Sequence, residues 1–343
     1  MSECLGKSLG DEMKAMRLIQ TKKAEEHPLE MMDIPEPKVG MGQIRIKMLT
    51  CGVCHTDLHI AEGELKAPKL PITLGHQAIG EIDQIGEGVT GFEISERVGA
   101  PWLAYTCGTC DFCRRGEENL CLFIQFHGFH VDGGFAEKML INANFAVKLP
   151  INLNPVETAP LLCAGIVGYR SVKLADIKAG DIIGLVGFGA SAHLSMQVIK
   201  GMGCKVFAFT RAKIHQEHAL QLGADWAGDL NDTTPAYCDH IIQFAPAGNL
   251  VSPTLEKLRP GGSLVINAVT MSDIPSLPYS KIYGERSIKS VANATRQDAI
   301  EFMDWVFKHG IQVTTQIYKL SEANQALIDI KTSKINGEAI IQF

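Results

Sequence analysis

Cys107, Cys110, Cys113 and Cys121 fall in one run, CGTCDFCRRGEENLC, spaced C-x2-C-x2-C-x7-C. Four thiolates on one loop can close a tetrahedron around a single Zn²⁺ and leave no coordination position open, which makes such a site structural. Its two excess negative charges would also make it a poor Lewis acid. Disulfides are the alternative. Cysteines with only two residues between them are poor partners for one another, and nothing at the start of the sequence reads as a secretory signal.

A second set of chemically capable residues is scattered. CGVCHTDLH carries Cys51, Cys54, His55, Thr56, Asp57 and His59, LGHQAIG carries His76, and LLCAG carries Cys163. Two thiolates and one neutral imidazole form a zinc site of near-zero net charge with one position open, as a catalytic zinc requires. Such an ion would lower the pKa of a bound alcohol. Taken one at a time, these residues have other readings. Cys51-x2-Cys54 also suits a redox pair or half of another zinc knot, His76 a structural histidine, and Cys163 a small core residue.

DIIGLVGFGASAH places an apolar strand before a glycine-rich turn and a helix. Gly187, Gly189 and Ala192 fit G-x-G-x-x-G/A, the turn that sets a dinucleotide diphosphate on a helix N-terminus. Gly187, Gly189, Ala190 and Ala192 are therefore candidate cofactor contacts. The next strand, KVFAFTR, ends in Ala208, Phe209, Thr210 and Arg211 with no acidic residue. An acid there binds a ribose 2′-OH. Thr210 and Arg211 instead suit a 2′-phosphate, so NADP(H) is expected over NAD(H).

Together these blocks, in this order, resemble the zinc-dependent medium-chain alcohol dehydrogenases from MKAMRLIQ to the C-terminus. The resemblance implies that Cys54, His76 and Cys163 hold a catalytic zinc and that Cys51 only packs. It implies that Thr56 hydrogen-bonds the alcohol oxygen and His59 ends a proton relay. Asp57 orients His76, His55 touches the cofactor diphosphate, and Trp102 walls the substrate pocket. Two zinc ions per chain follow, one catalytic and one structural. The family motif commonly reads GHE, whereas this chain reads Gly75-His76-Gln77, so a carboxylate that transiently binds zinc is missing at this position.

Those residues need two kinds of scaffold. From Met13 to about Pro150, short strand-like runs alternate with Gly- and Pro-rich turns, which suggests a largely β domain. From Asp181, strands and helices alternate, the signature of a doubly wound parallel sheet. The expected fold class is α/β: a Rossmann domain at 165–295 inserted into a mainly β, GroES-like catalytic domain at 1–164 and 296–343, with the zinc lobe near 101–122. The first dozen residues read as a loose tail.

The chain has 343 residues, ten cysteines and a net charge of −6, with no basic run. That excludes an ordinary nucleic-acid or anionic-membrane partner. No apolar stretch reaches the roughly 18 residues that span a bilayer. The expected protein is a cytoplasmic homo-dimer or homo-tetramer acting on a small primary alcohol or aldehyde, because Trp102 narrows the pocket. The alternatives are a polyol or aryl-alcohol dehydrogenase of the same fold, or a nucleotide-binding relative without turnover that keeps only the four-cysteine zinc.

Overall fold

A computed structural model describes residues 11–335 and 337–343. Residues 1–10, with Cys4 and nearly all of the expected N-terminal tail, lie outside the described residues. The chain divides into two compact units. One comprises 1–108, 121–162 and 314–343, and the other 109–120 and 163–313.

The first unit is a GroES-like β domain organised around the strand Gln43–Val53. One edge of that strand pairs with Gln77–Ile85. The other pairs with Lys138–Asn142 along its first half and with the C-terminal strand Glu338–Gln342 along its second. In the first half, buried Ile44, Ile46 and Met48 alternate with partly exposed or exposed residues, as a strand with one covered face requires. The last four residues, through Val53, are all buried. Cys54 therefore leaves the sheet from its most enclosed end. The core beneath packs Leu18, Ile46, Ile72, Leu74 and Phe135.

The second unit is a six-stranded parallel sheet. Its spatial order is Trp226–Gly228, Lys205–Phe209, Ile182–Val186, Cys238–Gln243, Leu258–Ile266 and Ser287–Ser290. In chain order this is 3-2-1-4-5-6, the dinucleotide-binding arrangement with its reversal between the first and fourth strands. Ile183, Leu185, Val206 and Ala208 are fully buried, because crossover helices cover both faces of a parallel sheet. Periodicity did not reveal the edge strands Trp226–Gly228 and Ser287–Ser290. Each has three or four residues, and SIKS is polar and half-exposed, so neither makes an apolar run.

The expected return to the first domain near residue 296 differs from the contact boundary at 314. The helix Arg296–His309 goes with the second unit. Its buried Asp298 receives Arg170 at 3.3 Å and Lys173 at 2.9 Å from the helix Ala164–Ala175. Residues 109–120 of the four-cysteine loop also belong to this unit. No helix among the described residues is long and apolar enough to cross a membrane.

Candidate metal centre and nucleotide turn

Cys54 ends the buried strand and starts the helix His55–Ala61 as its N-cap. Its backbone is extended, and its Sγ accepts the Thr56 N–H at 3.3 Å. Asp57, three residues on, closes a capping box by accepting the Cys54 N–H at 3.0 Å. The same buried carboxylate accepts the Gly75 N–H at 3.0 Å and contacts His76 Nδ1 at 3.2 Å. One side chain thus fixes the helix start, the glycine–histidine loop and the imidazole. Gly75 has φ +96°, and a Cβ on it would lie 2.5 Å from the Phe135 ring. Only glycine permits the turn that brings His76 back to Cys54.

His76 Nε2 lies 3.1 Å from Cys54 Sγ. The ligand atoms of Cys54, His76 and Cys163 all fall within 4.8 Å of one another. Zn–S and Zn–N bonds of about 2.3 and 2.0 Å set tetrahedral edges of roughly 3.3–3.8 Å, so this set fits one zinc ion. Cys163 directly follows Leu162, which packs on the sheet at Gly99, and its side chain does not cap the helix Ala164–Ala175 that it begins. Burial by itself would lower the His76 pKa. The Asp57 carboxylate and the Cys54 thiolate outweigh it and raise the pKa to about 10. The field that favours a proton on that imidazole favours a cation beside Nε2 equally. Cys51 is fully buried with its thiol pKa well raised, and stands outside the cluster.

Around this centre, Thr56 is buried, His55 is exposed, and His59 is partly exposed with Nδ1 2.6 Å from Glu64. The Trp102 ring meets His76 edge-on at 4.5 Å and stacks on Phe126 at 4.8 Å. Cys107, Cys110, Cys113 and Cys121 form a second cluster. Its Cys110–Cys113 and Cys107–Cys121 sulfur separations are 3.5 and 3.6 Å. Those are edges of a thiolate tetrahedron, far from the bonded distance of about 2.05 Å in a disulfide.

Gly187 lies at φ +85°, where a Cβ would come 2.8 Å from the Ala245 nitrogen. A Cβ on Gly189 would meet nothing within 4 Å among the described residues, so this side of the turn is open to a ligand. Gly189 starts the helix Ala190–Gly201, whose N-terminus no side chain caps among the described residues. Buried Ala192 faces the sheet. These features fit a diphosphate. Thr210 follows the strand Lys205–Phe209 directly, and Arg211 beside it is exposed.

Residues 40–151 match the model of the alcohol dehydrogenase GroES-like domain, and residues 192–308 match that of the zinc-binding dehydrogenase family. A probable alcohol dehydrogenase, AdhA, of Mycobacterium tuberculosis is 42% identical over 92% of each chain. The chain belongs to the zinc-dependent medium-chain alcohol dehydrogenases. An alcohol dehydrogenase of Geobacillus stearothermophilus is 33% identical over 96% of this chain and 99% of its own. The solved alcohol dehydrogenase of Aeropyrum pernix superposes with a TM-score of 0.86 at 30% identity, covering 96% of this chain and all of that one. A cinnamyl alcohol dehydrogenase from Sorghum bicolor superposes at 0.88 with 26% identity over 97% and 98%.

In this medium-chain dehydrogenase the motif departure at Gln77 has a structural setting. The Gln77 side chain lies across Gly52, where a Cβ would come within 2.0 Å of Oε1. Both of its amide atoms are buried without a partner among the described residues. Sequence reasoning missed Glu338, which the sheet register sets beside this region: Ile340 pairs with Gly52, and Glu338 shares its face. No motif marks it. Burial, with the Cys54 thiolate adding repulsion, raises its carboxyl pKa from 4.5 to about 8. Glu338 is then neutral in the folded chain and ionised in the unfolded one at pH 7. Stability is fully present below pH 4.5 and is lost as pH climbs toward 8. Glu338→Gln should leave Tm nearly unchanged at pH 5 and raise it by a few degrees at pH 8 in thermal melts. A shift of equal size at both pH values would remove the ionisation argument.

Proposed function

We propose that this chain is a two-zinc dehydrogenase that moves a hydride reversibly between a small primary alcohol or its aldehyde and a nicotinamide dinucleotide, NADP(H) in preference to NAD(H). The observation that carries the reading is the convergence of Cys54, His76 and Cys163 within 4.8 Å, with the imidazole held by a buried carboxylate. Three protein ligands leave one position for a substrate oxygen. When bound, zinc supplies Lewis acidity and the dinucleotide supplies the hydride-carrying carbon.

The chain's own residues set up the rest. Cys54 and Cys163 balance the charge of the metal, and Asp57 keeps the His76 proton on Nδ1 so that Nε2 is the ligating atom. Thr56 lies two residues after the ligand Cys54. Its hydroxyl takes the proton of the alcohol and hands on its own, a role that needs a group able both to donate and to accept. His59, partly exposed and bonded to Glu64, delivers that proton to solvent. The Gly187–Ala192 turn holds the diphosphate. Trp102 limits the room beside the metal. By the family resemblance, the working form is a cytoplasmic homo-dimer or homo-tetramer.

The preference for NADP(H) rests on the strand end. Arg211 is exposed, no acidic residue accompanies it, and Lys213 adds a second cation two residues later. Arg211→Ala should lower the NADP:NAD ratio of kcat/KM by about 10- to 100-fold, because a phosphate loses a charge-assisted partner while a hydroxyl loses nothing. Steady-state rates with both cofactors read this directly, and a ratio within twofold of wild type would retire Arg211.

One observation favours an aryl-alcohol reading as the second choice. Trp102 and Phe126 stack as a flat wall next to His76, with Phe129 6.1 Å from Trp102. Such a wall suits a planar substrate. Straight-chain alcohols, benzyl alcohol and cinnamyl alcohol assayed with both cofactors, alongside zinc analysis, separate the two. Turnover with none of them, or one zinc per chain, would overturn the proposal.

A further inference from the structure

The short strand Gln125–Phe126 pairs with Leu103–Tyr105, and the turn that follows it stands against the metal centre. Gly128, at φ +71°, packs on the residue before His76. A Cβ there would lie 2.9 Å from the Gly75 nitrogen, so only glycine fits. His127 clamps the turn from inside. Its backbone N–H donates to the Trp102 carbonyl at 3.0 Å, and its Nδ1–H donates to the Pro101 carbonyl at 2.7 Å. The His130 N–H closes the turn on the Phe126 carbonyl at 2.9 Å.

The His130 ring is held the other way round. Its Nδ1 accepts the Phe126 N–H at 3.2 Å. A ring nitrogen that accepts carries no proton, so the proton of the neutral imidazole is on Nε2. Burial lowers the His130 pKa and keeps the ring neutral near pH 7. Nε2 meets no partner among the described residues, and it is not enclosed, since His130 is partly exposed.

Packing fixes where that N–H stands. The ring lies 5.5 Å from Phe126 and meets Phe129 edge-on at 4.8 Å. Both phenylalanines contact Trp102, whose indole meets the proposed ligand His76. His130 thus ends an aromatic wall that begins at the metal centre. Such a wall holds an apolar substrate body by area and shape. A lone donor at its far end adds orientation, the usual part of the few polar groups in a mostly apolar site. A substrate with an oxygen there replaces water at Nε2. One with a methylene there displaces the water and leaves the N–H unpaired.

We propose that His130 sets substrate specificity: its Nε2–H donates to an oxygen at the end of the substrate remote from the reacting carbon, so the site prefers alcohols and aldehydes that carry an ether, carbonyl or phenol oxygen beyond an aromatic ring. The proposal rests on the dehydrogenase reading above and narrows its aryl-alcohol branch.

The test uses two matched pairs, para-methoxybenzyl with para-ethylbenzyl alcohol and para-methoxycinnamyl with para-ethylcinnamyl alcohol. Within each pair an oxygen replaces a methylene at the same place. The electronic effect of the methoxy group on hydride transfer is the same in every variant, so a change in the ether:ethyl ratio of kcat/KM reads the contact alone. His130→Phe keeps a ring in the wall and removes the donor. His130→Gln keeps a donor at nearly the reach of Nε2. In at least one pair, His130→Phe should lower the ratio about tenfold through KM, with the ethyl substrate within twofold of wild type. His130→Gln should hold the ratio within threefold. A thermal melt checks folding, and His130→Leu replaces a Phe variant that does not fold. A ratio within twofold of wild type in both pairs would overturn the proposal, as would equal losses for ether and ethyl substrates. Turnover of straight-chain alcohols with none of the aryl alcohols overturns it alone. Turnover of no alcohol at all shows that the dehydrogenase reading fails, and this proposal with it.

Discussion

Cys54→Ser should remove one of the two proposed zinc ions per chain and lower kcat/KM by at least about 10³-fold, while the protein stays folded. The first effect follows from ligand chemistry. A serine hydroxyl is not deprotonated near neutral pH and is a hard donor, so it replaces a thiolate poorly at zinc. The second follows from the proposed role of that zinc in polarising the substrate oxygen, since about 4 kcal/mol of lost transition-state stabilisation corresponds to that factor. The third follows from the local fold. Cys54 is the N-cap of His55–Ala61 and accepts the Thr56 N–H. Serine is a preferred N-cap, so the helix start and the Asp57 contacts survive the change. Metal analysis, steady-state kinetics and a thermal melt on the same sample check all three. Two zinc ions retained with full activity would remove Cys54 from the ligand set. A large fall in Tm would make the variant uninformative about catalysis, and His76→Gln, which leaves the cap intact, then carries the test.

Cys113→Ser acts on stability first. The loop from Cys107 to Cys121 holds only two short helices, Asp111–Arg114 and Glu118–Leu120, and the first of them buries no residue. With so little apolar surface enclosed, the proposed zinc would serve as the loop's core, and binding energy at a structural zinc is folding energy. The loop also carries Glu118 and Asn119, whose bonds to Arg296 and Ala292 tie it to the rest of its unit. Losing the metal should therefore remove on the order of 3–5 kcal/mol and lower Tm by roughly 10 °C, with one zinc remaining per chain. A Tm within two degrees of wild type at one zinc per chain would show that the loop folds without its metal. The two variants thus separate the sites, since one loses turnover with little change in Tm and the other loses Tm directly.

The legible part of this protein is local. C-x2-C-x2-C-x7-C brings four thiolates together on a single loop. Strand, Gly187-x-Gly189-x-x-Ala192 and helix form one continuous segment. Apolar strands alternating with helices announce a parallel sheet. The short edge strands Trp226–Gly228 and Ser287–Ser290 escaped notice, because a strand of three or four residues shows no period. Resemblance to the family, rather than spacing, singled out Cys54, His76 and Cys163 from other cysteines and histidines. The helix Arg296–His309 goes with the second unit because Asp298 meets Arg170 and Lys173, partners that no local pattern links to it.

The sequence alone determined the four-thiolate loop, the nucleotide turn and the two fold types, since each is written within a few tens of residues whose geometry follows from turn chemistry and periodicity. Tertiary structure decided the rest. The Asp57 contacts and the positive φ of Gly75 bring His76 to Cys54. Sheet register sets Glu338 on the same face as the residue opposite Gly52, and the Glu118 and Asn119 bonds tie the four-cysteine loop to Arg296 and Ala292. These arrangements join segments far apart in the chain, and strand pairing, burial and hydrogen-bond satisfaction set their geometry only once the whole fold has closed.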